Sequence, residues 1–217
     1  VDMGVFVRRF AADENSLRRF YPEPMSRERS ARLRTFHRAW LERLGAVDFE
    51  RLDVDGRVDW ILLRNHLEER EDELRLLDAR WDETHGLIPF AQSLIALEAS
   101  RRLLEAVDPA ACAERLHLLE QAVARTRNAA GGDGLTPKPA PVLAYRVAGH
   151  LGRLRQTLKT WFTYRDGYEP TFGWWVRKPY RALDAALAGY EKYLREDVAG
   201  VKRGGPAPLI GDPIGRD

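Results

Sequence analysis

Apolar side chains recur every third or fourth residue along nearly the whole chain, and that spacing commits it to helices. Tyr180, Leu183, Leu187, Tyr190, Leu194 and Val198 form one such stripe, which predicts a last helix from Pro179 to about residue 200. Leu33, Phe36, Trp40, Leu44 and Val47 predict a helix over 26–44. Trp60, Leu63, Leu67, Leu74 and Leu77, flanked by Val58 and Ile61, predict one from residue 53 or 55 to about 79. Phe90, Leu94, Leu97, Leu104 and Val107 predict a helix over 89–107. Cys112, Leu116, Leu119 and Val123 predict one over 109–128. Val147, Leu151, Leu154, Leu158 and Trp161 predict one from about residue 141. The strand period of two is sustained nowhere, and no solenoid repeat is visible. The expected fold class is all-α: about six main helices packed as antiparallel helical hairpins, with an aromatic-rich loop before the last helix.

Local punctuation sets the expected boundaries. Pro22 and Pro24 are expected to block an earlier helix, with Ser26 as N-cap and Gly45 as the stop. Asp108-Pro109 pairs an N-cap with a first-turn proline. The charged run from Glu68 to Glu73 reads as a solvated face with pairs such as Glu71–Arg75. Gly149 and Gly152 weaken their helix by roughly 1 kcal/mol each and are expected to permit close helix contact. Glycines and prolines between residues 130 and 139 read as a flexible linker. The expected organisation is a helical domain over 1–203 and an irregular tail over 204–217 that leads to a C-terminal region.

Composition narrows the class. Of 217 residues, 44% are hydrophobic, which excludes a disordered or collagen-like chain. The 35 basic and 33 acidic side chains nearly cancel, and glutamates interleave with the arginines. That alternating field is not the stripe of a nucleic-acid binder. A single cysteine, Cys112, permits no internal disulfide and reads as a small core residue. No apolar run approaches the roughly 20 residues of a membrane span. No signal peptide is visible at Val1-Asp2-Met3-Gly4, so a cytoplasmic location is expected, with a trimmed leader as the alternative.

Catalytic motifs are sparse. His37, His66, His85, His117 and His150 include no pair four apart, so no His-Glu-x-x-His zinc helix exists. The glycines at 131–134 lack the Gly-Lys-[Ser/Thr] ending of a phosphate loop, and no Gly-x-Ser-x-Gly elbow occurs. No catalytic and no metal-ligating residue is assigned. Acidic pairs such as Glu68/Asp72 and Asp55/Asp59 read as solvated surface.

One stretch departs from the helical stripes. Residues 161–175 carry Trp161, Tyr164, Tyr168, Phe172, Trp174 and Trp175, with Tyr180 close behind. Such a loop either folds onto the core through its own aromatics or forms one wall of a ligand cleft. The order Trp161, Gly167-Tyr168-x-Pro170-x-Phe172-x-Trp174-Trp175, Pro179-Tyr180 and Tyr190 resembles the bacterial family of unknown function numbered eight-eight-five. Phe20-Tyr21-Pro22-Glu23, Asp55-x-x-Val58-Asp59-x-x-x-Leu63 and Gly211-Asp212-Pro213-Ile214-Gly215-Arg216 agree with it in the same order, over nearly the whole chain.

That family is similar to mainly helical zinc metallopeptidases with a deep channel. Its zinc helix lies downstream of the Gly-Asp-Pro-Ile-Gly-Arg element, so no metal ligand can be carried over to these residues. The resemblance implies an N-terminal helical region of a zinc-dependent, peptidase-like hydrolase that covers or walls the substrate channel and is inactive alone. The implied wall residues are Tyr164, Tyr168, Phe172, Trp174, Trp175 and Tyr180. Zinc is implied for the full-length relative and no cofactor for this chain. The implied partners are the C-terminal catalytic region and a peptide-like substrate; nucleic acid and membrane are not expected. The alternative reading is a free-standing helical binding or dimerisation module that uses the same aromatic surface, with a homo-oligomer as one outcome.

Overall fold

The computed structural model describes residues 1–131, 138–202 and 204–205. Among them there are seven α-helices and no strand. The chain divides into two compact units, Val1–Asp82 and Glu83–Asp217.

The first unit holds α1 (Met3–Phe20), α2 (Arg27–Gly45) and most of α3 (Val54–Thr84). Helix α1 corrects the expectation that Pro22 and Pro24 would block an earlier helix. They follow the helix, whose C-cap is Tyr21, and the Asp2 side chain caps its start by accepting from the Val5 N–H at 3.0 Å. Its inward face runs Met3, Phe6, Val7, Phe10, Glu14, and the carboxylate in that stripe is what hides the period. Ser26 caps α2 as expected, accepting from the Arg29 N–H at 3.2 Å. Asp53 accepts from the Gly56 N–H at 2.8 Å at the start of α3.

Leucines and aromatic rings share the core of this unit. Met3, Phe10, Trp40, Leu44, Leu52, Leu63 and Leu67 are buried together. Phe10 packs edge-on to Trp40 at 5.5 Å, and Phe6 does so at 5.0 Å. Trp60 donates its indole N–H to the Leu44 carbonyl at 3.0 Å, which ties α3 to the end of α2.

The second unit holds α4 (Ala91–Arg102), α5 (Pro109–Gly131), α6 (Pro141–Asp166) and α7 (Pro170–Lys192), continued by a π-helical turn, Tyr193–Val198. Helix α7 packs on α5 and α6, and α6 packs on α4. Leu116, Leu119 and Val123 from α5 meet a fully apolar face of α6 and α7: Val147, Leu151, Leu154, Leu158, Trp161, Phe172, Val176, Leu183 and Leu187. Tyr190 joins them because its hydroxyl donates to the Leu87 carbonyl at 3.0 Å. Burial pushes that phenol well above its ordinary pKa.

Several boundaries differ from expectation. The expected aromatic loop is helix on both sides of a short turn: α6 continues to Asp166 and α7 begins at Pro170. Pro170, not Pro179, takes the first helical position. Pro179 lies inside α7, where it removes one backbone donor. The helix continues through it because Phe172, Val176, Leu183, Leu187 and Tyr190 form one buried face across the proline. Helix α4 stops at Arg102 rather than near Val107. Leu104 adopts φ 54°, and the Leu104 and Glu105 N–H groups return to the Arg101 and Ser100 carbonyls at 3.1 Å each. This is a Schellman turn with leucine in the position glycine usually takes. A Cβ on Gly149 would meet nothing within 4 Å, and one on Gly152 only ordinary contacts, so neither is required for close helix approach. Gly131 belongs to α5; the rest of the expected linker up to Pro137, and the tail from Pro206, lie outside the described residues.

Candidate functional site

Two places gather polar side chains that a helical stripe would otherwise fill with carbon. The first is in the Val1–Asp82 unit. Glu14 projects from α1 into the interface with α2, where His37 is 0% exposed. The His37 Nε2 lies 3.1 Å from Glu14 Oε1, and Arg18 Nη2 lies 2.9 Å from the same oxygen. Burial opposes the charge on Glu14, but the hydrogen bonds from His37 and Arg18 outweigh it and hold the carboxyl pKa at about 2. An ionised carboxylate only accepts, so His37 Nε2 carries the proton in that contact. On its other side, His37 Nδ1 faces Glu71 Oε1 at 3.9 Å. Arg34 lies 3.8 Å from Glu71 and 2.7 Å from Asp78. Glu71 therefore turns inward from the expected solvated face, and the pair expected with Arg75 goes to Asp72 instead. His66 Nε2 stands 3.8 Å from Glu14 Oε2. His37 is sealed from solvent while Arg18, Arg34 and His66 are partly exposed, and their contacts tie α1, α2 and α3 together.

The second place is a cleft of about 780 Å³ in the Glu83–Asp217 unit. Helix α4 and its Schellman turn supply Arg101, Leu104 and Glu105 to one side; the end of α6 and the turn after it supply Thr160, Thr163, Tyr164, Arg165, Tyr168 and Glu169 to the other. Volume and lining suit a small ligand. Tyr164 lies under the Arg101 guanidinium at 4.8 Å. Arg101 is itself held by Glu98, which is buried and also pairs with Arg102 at 3.3 Å.

Arg165 is the unusual member of the cleft. It is 8% exposed. Its Nη2 donates to the Glu105 carbonyl at 3.1 Å, and its Nε is buried with no hydrogen-bond partner. Among the described residues no carboxylate lies in ion-pair contact with it, although Glu105 and Glu169 belong to the same lining. Cys112 lies within its field. Burial pushes the Cys112 thiol up, with Arg165 and Arg115 acting partly against that.

The implied wall residues separate into four groups. Tyr164 and Tyr168 line the cleft, Tyr168 being 85% exposed. Phe172 does not: it is fully buried against Trp161, 5.5 Å between ring centroids, because it lies on the inward face of α7. Tyr180 stacks on Phe162 at 3.9 Å. Trp174 and Trp175 form an edge-on pair at 4.8 Å on the outer face of α7, Trp174 being 74% exposed, and neither lines this cleft. Arg165 is absent from the residues that the sequence singles out, although its register marks it: Leu151, Leu154, Leu158, Trp161 and Arg165 continue one stripe at three- and four-residue steps.

Among the described residues no group of three or more His, Cys, Asp or Glu is placed to hold a metal ion, and no helix is long and apolar enough to cross a membrane. No family model, no curated protein and no solved structure matches the chain.

Proposed function

We propose that this chain forms a wall or cover of the substrate channel of a zinc-dependent, peptidase-like hydrolase, and that it binds but performs no chemistry alone. The observation that supports this reading is the coincidence of cleft and motif: Tyr164 and Tyr168, within the stretch that carries the family resemblance, line the 780 Å³ cleft. Tyrosine rings with charges of both signs suit a peptide-like substrate, whose backbone and termini need both apolar and polar partners. The described residues do not fit a zinc site, so the metal in this reading belongs to a downstream region. The test is to extend the parent reading frame past Asp217 and co-express the downstream segment with this chain. A downstream region that carries a His-Glu pair on a helix, holds zinc and binds this chain is expected. Stoichiometric zinc on the 217-residue chain alone, or a reading frame that ends without such a helix, would contradict the proposal.

A second reading, a free-standing binding or dimerisation module, is favoured by the exposed Trp174–Trp175 pair. In that case Trp174→Ala lowers the sedimentation coefficient of an oligomer while the helix content stays unchanged. A chain that sediments as a monomer at all concentrations contradicts it.

A further inference from the structure

We infer that the cleft between the end of α4 and the end of α6 binds an aromatic monocarboxylate, with the carboxylate on Arg165 and the ring against Tyr164 and Tyr168. The inference rests on reading this cleft as a ligand-binding wall, but on neither zinc nor a downstream region.

Three observations lead to it. Arg165 is nine-tenths buried, lines the cleft, and has only the Glu105 carbonyl as a hydrogen-bond acceptor, through Nη2. A guanidinium carries five donors and a full charge, and here its buried Nε has no partner. An anion is the ligand that such a charge attracts, accepting from the guanidinium nitrogen that neither lies sealed nor meets Glu105. The second observation is the charge of the wall. Arg101 is already neutralised by Glu98, while Glu105 and Glu169 stand at the exposed margin. Arg165 has no carboxylate in ion-pair contact and attracts one negative charge, while Glu105 and Glu169 at the margin repel a dianion more than a monoanion. The third is the apolar half of the lining. Tyr168 and Leu104 present exposed apolar surface, and the Tyr164 ring is held by the Arg101 guanidinium at 4.8 Å, so the lining offers a flat ring apolar partners beside the anion site. Leu104 holds its place through a left-handed backbone conformation at the cleft margin, φ 54°, the kind of strain found at ligand clamps.

The test is calorimetric titration of the 217-residue chain with phenylacetate, 2-phenylethanol as the neutral analogue and phenyl phosphate as the dianion. Saturable binding of phenylacetate is expected, with weaker binding of phenyl phosphate and none of 2-phenylethanol at the same concentrations. Arg165→Gln should weaken phenylacetate about tenfold or more, and Tyr168→Ala about threefold. Tyr168 is largely exposed, so its variant keeps the test decisive where Arg165→Gln fails to fold. Lack of saturable phenylacetate binding, equal binding of the neutral analogue, tighter binding of the dianion, or unchanged affinity in Tyr168→Ala would each overturn the inference. Because the titration uses this chain alone, it can fail while the downstream zinc region is found, and succeed while that region is not.

Discussion

Both units bury charge, and two sites, Glu14–His37 in the first and Arg165 in the second, show it paired in different ways. In Val1–Asp82, the buried Glu14 and His37 meet each other, and Arg18, Arg34 and Glu71 surround them with opposite charge, although His37 Nδ1 and Glu71 Oε1 make no hydrogen bond. In Glu83–Asp217, the long faces of α6 and α7 are carbon almost throughout, and the one buried cation at their margin, Arg165, has a backbone carbonyl in place of a carboxylate. A closed network is a device for holding helices together, since each member loses its partner when the others leave. An open one has the character of a binding site, since something from outside can complete it. The contrast gives each unit its own set of consequences.

The largest expected effect lies in the first unit. Glu14→Gln removes the charge that His37 and Arg18 bind and should destabilise the unit by about 3 kcal/mol. Hydrogen exchange of the α1 and α2 amides checks this, since a global midpoint mixes two units. The same contact makes the first unit acid-sensitive. The Glu14 pKa falls from 4.5 to about 2 on folding, so its contribution is complete above about pH 4.5 and is lost as the pH drops toward 2. That loss should amount to about 3 kcal/mol and should vanish in Glu14→Gln. In the second unit the corresponding change is expected to cost far less. Arg165→Met replaces an unpaired buried cation with an apolar chain of similar length, and should leave stability within about 1 kcal/mol of the parent or raise it. A loss as large as that of Glu14→Gln would show that Arg165 is paired after all. Smaller still, Leu104→Gly relieves the left-handed leucine against the added chain entropy of glycine, and should stabilise the second unit by up to about 1 kcal/mol in a denaturant titration.

The sequence and the structure agree wherever a stripe is unbroken, and they part where a polar residue or a proline interrupts one. Helix α2, with Ser26 capping and Leu33, Trp40 and Leu44 inward, was legible from spacing alone. Helix α1 was not, because Glu14 occupies an inward position and reads as surface until its partners His37 and Arg18 are in place. The start of α7 was hidden by Pro179, a proline that ends most helices; here one buried face on both sides carries the helix through. The cleft was half legible. Tyr164 and Tyr168 stood out as aromatics, whereas Arg165 showed itself only through register, as the next step of an apolar stripe. Leu104 gave no sign, because the Schellman turn that uses it normally advertises itself with glycine.

The contrast between a closed and an open charge site can be read directly at Arg165. Its Nε–H proton is buried and unpartnered, so its nitrogen-15 correlated resonance reports any new anion on the guanidinium. Titration with phenylacetate should shift that resonance saturably and slow its exchange with water, while 2-phenylethanol leaves it in place. An Arg165 resonance that stays unmoved through the phenylacetate titration, or that moves equally with the neutral analogue, would contradict an open cation site in the second unit.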